Sequence, residues 1–148
     1  MIRVSSEIVP KIGKDNVIFQ IDPDHFLSSI VFNPEDVKQI NQVISIKTFD
    51  GIIVDIENVS QELSDKNYRT LKCIYQFVSE DFKLVNIDEK QLGIRINNGV
   101  TFIIGKLLTI KMEGNMVTVR TTRNEVLVLV HIEKELCIKN FNFIKNYL

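Results

Sequence analysis

From Phe82 to Lys139 apolar residues recur at every second position in short runs, and most runs close on a turn-forming group. Leu92, Ile94 and Ile96 alternate with polar neighbours, Asn97-Asn98-Gly99 turns the chain, and Val100, Phe102 and Ile104 alternate back. Leu108, Ile110 and Met112 continue the pattern; Glu113-Gly114-Asn115 turns again ahead of Val117 and Val119. After Thr122-Arg123-Asn124 comes the unbroken apolar run Val126–Val130, then Leu136 and Ile138 as a last short strand, with 141–148 as a terminal helix. A period of two is the strand period, because successive side chains point to opposite faces of a sheet. Strands joined by such short turns fold as an antiparallel meander.

The first half is mixed. Residues 2–5 read as a strand, Ser5-Ser6-Glu7 as the start of a short helix ended by Gly13, and 16–21 as an extended segment. Asp22-Pro23 has the pattern of an N-cap followed by proline at the first helical position, and Asn33-Pro34 repeats it. Phe26, Leu27 and Ile30 would form the apolar face of that helix. Val43–Phe49 and Ile52–Ile56 flank Asp50-Gly51, a strong hairpin signal. Residues 1–58 thus read β-α-α-β-β. Over 64–80, Tyr68, Leu71, Tyr75 and Val78 recur at three- and four-residue steps, predicting the longest helix, capped by Ser64 or Asp65. The expected fold is α+β: an N-terminal unit over 1–59, then a helix and an antiparallel β-meander over 60–148. No internal repeat is visible along the chain.

Several functions are disfavoured. Hydrophobic residues make up 45% and charged residues 25%, which supports a packed core and argues against disorder. No run of 18 apolar residues offers a membrane span. Cys73 and Cys137 lie far apart without further ligands at metal-site spacing, and read as free core thiols. His25 and His131 are the only histidines and read as a helix-surface and a strand-end residue. Asp22, Asp24, Glu35 and Asp36 suit helix starts, and Asp55 and Glu57 a solvated strand face. No phosphate loop or nucleophile elbow occurs. The expectation is therefore no catalytic residue, no cofactor, no metal and no small-molecule substrate.

Charge is split along the chain. Residues 1–92 hold 10 Lys+Arg against 15 Asp+Glu, and residues 93–148 hold 8 against 4. Arg95, Lys106, Lys111, Arg120, Arg123 and Lys139, with Phe102 as a stacking platform, outline a nucleic-acid-binding alternative. The split equally suits two layers that attract each other. Val126–Val130 is apolar on both faces. Such a strand is either a covered central strand or an edge that recruits another chain. In the second case Val126, Val128, Val130, Leu136 and Ile138 would be the partner-binding residues, by strand addition.

Asp15-Asn16-Val17-Ile18-Phe19-Gln20-Ile21-Asp22, with Phe26, Leu27 and Ile30 after it, resembles the POTRA domain of the FtsQ/DivIB family of bacterial division proteins. Residues 68–80 and Leu92–Gly105 resemble the helix and the strand-turn-strand segment of that family's β domain. Residues 58–64 are shorter than the family's connection, and strand continues after Gly105 where a helix is common. The resemblance implies a non-enzymatic scaffold in septum assembly that pairs with other divisome subunits through Val126–Val130 and Leu136–Lys139. It also implies an extracytoplasmic location, with a membrane anchor upstream; a true start at Met1 would instead place the chain in the cytoplasm.

Overall fold

The computed structural model describes residues 1–13, 16–78, 83–88, 91–95, 101–103, 106–122 and 126–146. The chain is α+β, mostly sheet with two helices among the described residues, and divides into two compact units, Met1–Cys73 and Ile74–Leu148.

The first unit opens with β1 (Ile2–Val4). A three-stranded antiparallel sheet follows, from β2 (Val9–Ile12), β3 (Val17–Asp22) and β4 (His25–Ser28). Then β5 (Phe32–Ile40), β6 (Val43–Thr48) and β7 (Ile53–Asn58) form an antiparallel meander. β1 returns alongside β7 in parallel, giving the order β1-β7-β6-β5. Helix α1 (Gln61–Lys72) packs on this sheet through Ser64, Asn67 and Leu71, which recur at three- and four-residue steps. Val37, Ile44, Ile46 and Ile56 are fully buried on the sheet, as are Val17 and, within 1%, Phe19 on β3.

Of the two helices expected in residues 1–58, the one from Ser5 to Gly13 is replaced by strand β2 and the one started by Asp22-Pro23 by strand β4, and the further short turn expected at Asn33-Pro34 lies in β5. The Asp22 carboxylate accepts the Asp24 N–H at 2.8 Å, and Asn33 Oδ1 accepts the Glu35 N–H at 3.0 Å. Both are short side-chain-to-backbone turns, which compete with helix start for the same residue types. Phe26 and Ile30 are exposed and only Leu27 is buried, so no helical face forms there. Pro34 is tolerated because β5 is an edge strand with a register shift between Phe32 and Val37. Among the described residues of 1–58, the β-α-α-β-β order expected of a POTRA-like unit is thus replaced by seven strands.

The expected helix over 64–80 starts earlier and ends sooner. Ser60 is its N-cap, accepting the Leu63 N–H at 3.1 Å, and Cys73 is an extended C-cap. The chain then extends because Ile74-Tyr75-Gln76-Phe77-Val78 pairs in parallel with a distant strand. Packing with that strand overrides the helical spacing. The helix therefore belongs to the first unit, and the division falls after Cys73 rather than at 59/60.

The second unit comprises β8 (Ile74–Val78), a three-stranded antiparallel sheet of β9 (Lys83–Asp88), β10 (Gln91–Arg95) and β11 (Thr101–Ile103), then β12 (Leu107–Glu113), β13 (Met116–Thr121), β14 (Val126–His131) and α2 (Lys134–Lys145). The meander expected from the sequence is present in β12-β13-β14, but β8 adds to it in parallel beyond β14. Val117, Val119, Leu127 and Leu129 form its core with Cys137 and Ile144 of α2. The expected strand at Leu136–Ile138 lies inside α2. The buried positions there are Cys137, Asn140 and Ile144, a helical spacing that outweighs the brief alternation.

Candidate functional site

The most distinctive surface of the first unit lies at two adjoining connections. The β6–β7 loop is tied down by its own backbone. Gly51 N–H donates to the Thr48 carbonyl at 3.0 Å, Thr48 N–H to the Ile52 carbonyl at 2.9 Å, and the Thr48 hydroxyl binds the Asp50 carboxylate. Gly51 sits at φ +87°, a conformation any other residue would strain to adopt, although a β-carbon there would meet only open space. Only this one of the two Asp-Gly residues takes positive φ, and the loop between Thr48 and Ile53 is four residues long rather than two. Phe49 N–H then donates to the Val31 carbonyl at 2.8 Å, which joins this loop to the β4–β5 connection.

With these polar groups paired, what the two connections present is apolar. Ile30, Val31, Phe49, Ile52 and Ile53 are between 37% and 68% exposed. Single exposed apolar residues are ordinary; four on two adjoining connections, with Ile53 at the start of β7, make this the candidate site of the first unit. Each such side chain, once fully covered, contributes roughly 1.5–3 kcal/mol before the costs of association. The sequence carries a trace of this surface in Phe49 flanking Asp-Gly, where a turn is expected to be polar.

The residues expected to bind a partner are placed otherwise. β14 lies between β13 and β8 and is hydrogen-bonded on both sides, so Val126, Val128 and Val130 offer no free edge for an added strand. Val128 is buried, Val126 and Val130 half-buried. This is the covered central strand of the two possibilities left open by the sequence. Leu136 and Ile138 are on α2, Leu136 packed against the core and Ile138 exposed. Their backbone bonds are used within the helix, and the expected pairing through Leu136–Lys139 has no strand to act through.

Among the described basic residues, Lys139 is placed apart from Lys111 and Arg120. Lys111 and Arg120 alternate with the core residues of β12 and β13 and so face away from α2, whereas Lys139 is on α2 itself. Lys111 is also paired with Glu113 at 2.6 Å. Lys106 is exposed just ahead of β12. Arg95 and Phe102 lie on β10 and β11, and Arg123 falls outside the described residues.

Most of the titratable groups singled out in the sequence have local partners. His25 Nδ1 meets both Asp22 carboxylate oxygens, at 2.8 and 2.9 Å, across an exposed turn. Partial desolvation raises the Asp22 pKa, but the bonds from His25 and the Asp24 N–H outweigh it and hold the carboxyl below its usual value. Asp55 accepts the Ser45 hydroxyl at 2.5 Å, and Glu57 pairs with Arg3 at 3.2 Å. His131 is buried at the end of β14: Nδ1 donates to the Asn115 carbonyl at 3.1 Å and Nε2 accepts from Asn140 Nδ2 at 3.0 Å. Burial lowers its pKa, and the two bonds specify the neutral ring with the proton on Nδ1. The half-buried Cys73 thiol donates to the Arg69 carbonyl at 3.2 Å, and burial pushes the Cys137 thiol up. Among the described residues no three His, Cys, Asp or Glu side chains come together to hold a metal ion, and no helix is long and apolar enough to cross a membrane. Comparison with family models, curated proteins and solved structures gives no match to this chain.

Proposed function

We propose that this chain is a non-enzymatic protein-interaction module that binds a protein partner through Ile30, Val31, Phe49, Ile52 and Ile53. The observation that carries this reading is the joint exposure of these five side chains on a backbone whose own hydrogen bonds fix the two connections. A protein partner fits better than a lipid surface. Residues 1–73 hold 8 Lys+Arg against 11 Asp+Glu, and Asp50 sits within the patch, so anionic headgroups would be repelled. The more specific reading, an extracytoplasmic divisome scaffold, rests on the sequence motif of Asp15–Asp22. That motif loses the two helices that framed it, so the general reading does not depend on it.

The test uses Phe49→Thr with Ile52→Glu. These substitutions make the β6–β7 loop polar while leaving Thr48, Asp50 and Gly51 in place. Proteins cross-linked to the parent chain in its native cells should be lost from the double variant and kept by Ile132→Ser, an exposed apolar residue of the second unit. Equal cross-linking by the parent and the double variant, with unchanged thermal unfolding, would contradict the proposal.

A further inference from the structure

The two units have the same order: an opening strand, a three-stranded antiparallel sheet, a meander whose last strand pairs in parallel with the opening strand, and a helix. We infer that the chain is a tandem repeat of one structural unit, in which residues 42–73 recur as 115–146. This stands independently of the protein-binding reading.

The likeness extends to individual atoms. In the first unit the β5–β6 turn places Asn41 at φ +54°, and in the second the β12–β13 turn places Gly114 at φ +57°. The carbonyl of each accepts two side chains from the first turn of the following helix. Gln61 and Ser64 donate to Asn41 O; Lys134 and the Cys137 thiol approach Gly114 O, the thiol at 3.9 Å. The sequence separations of these contacts are 20 and 23 residues in both units.

The last residue of each meander completes the arrangement. Asn58 donates its backbone N–H and Nδ2 to the Gln42 carbonyl, and His131 its backbone N–H and Nδ1 to the Asn115 carbonyl; both pairs are 16 apart. Asn58 Oδ1 accepts from Asn67 and His131 Nε2 from Asn140, at a separation of 9 in each unit. The neutral imidazole presents its donor and acceptor where the Asn amide presents its own. Buried helix positions Ser64, Asn67 and Leu71 become Cys137, Asn140 and Ile144, each displaced by 73 residues. The opening strands differ by one residue more: Ile2 opposes Ile56, and Gln76 opposes Leu129.

With that displacement known, the sequence agrees. Gln42-Val43-Ile44-Ser45-Ile46-Lys47-Thr48 aligns with Asn115-Met116-Val117-Thr118-Val119-Arg120-Thr121, each pair alike in size and polarity. Glu62-Leu63 aligns with Glu135-Leu136, and Lys66-Asn67 with Lys139-Asn140. One hairpin followed by a helix could arise twice. Four side-chain contacts at the same four separations, around the same positive-φ turn, are the mark of a repeated unit.

A repeat predicts that matched parts are interchangeable. In the full chain, residues 115–121 are replaced by the sequence of 42–48 (N115Q, M116V, V117I, T118S, V119I, R120K). A control graft one residue out of step (M116Q, T118I, V119S, R120I, T121K) moves the apolar set to the other face. The matched graft should unfold cooperatively within about 5 °C of the parent and the shifted graft should not. A milder variant, His131→Asn with Lys134→Gln and Cys137→Ser, rebuilds the first unit's contacts in the second and should unfold within the same interval. The repeat is overturned if the matched graft fares no better than the shifted one, or if the milder variant loses cooperative unfolding.

Discussion

At the scale of single residues, His131 makes the sharpest prediction. Burial lowers its pKa in the fold, so below about 6.5 the unfolded chain takes up the proton before the folded chain does. Its contribution to stability is therefore complete above about pH 6.5 and declines as pH falls towards the lowered folded value. Denaturant midpoints measured across this range should fall with acid in the parent and fall less in His131→Asn. His131→Leu should cost roughly 1–3 kcal/mol at pH 7.5, because the buried Asn140 amide loses its acceptor. An unchanged midpoint for His131→Leu would mean that this bond does not hold α2 to β14. Gly51→Ala should cost about 1 kcal/mol for a side chain at φ +87°, checked by the same measurement. The sequence marks Gly51 as a turn residue and His131 as the end of a strand. It does not show the amide that His131 meets, because Asn140 is nine residues on, across a turn and into a helix.

At the scale of elements, the sequence is reliable where a strand alternates next to a glycine turn and unreliable where polar residues serve two purposes. β6, β7, β12, β13 and β14 fall close to their expected positions. Asp22 and Asn33 misled because a carboxylate or amide that caps a helix also closes a turn, and only the tertiary pairing of β3 with β4 and of β5 with β6 chooses between them. Ile74–Val78 misled for a related reason, since its partner strand lies more than fifty residues away. The assignment of α2 is directly testable. Ile144→Ala should cost about 2–4 kcal/mol, whereas Ile138→Asp should change stability by no more than about 0.5 kcal/mol, since Ile138 is on the helix's outer side. If thermal unfolding ranks the two in the opposite order, Leu136–Ile138 is not presented as this helix presents it.

At the scale of the whole molecule, the repeat separates scaffold from surface. The residues alike in both units turn the chain, hold the helix to the sheet and fill the core, which makes them structural. The β6–β7 loop is where they part company: Phe49 corresponds to Thr122 and Ile52 to Glu125. At these two positions the sequence is apolar in the first unit and polar in the second, so partner binding should be confined to the first. The sequence pointed instead to Val126–Val130, because a run of apolar residues stands out more in a sequence than dispersed ones. Its apolar character is explained by a central strand. Ile30 and Phe49 are nineteen residues apart and become neighbours in surface only when the β4–β5 connection meets the β6–β7 loop.

A photoreactive side chain placed at position 52, and separately at position 125, tests this most directly. Irradiation in the native cells should give a discrete protein adduct from position 52 and none from position 125. No adduct from position 52, or the same adduct from both positions, would contradict the account.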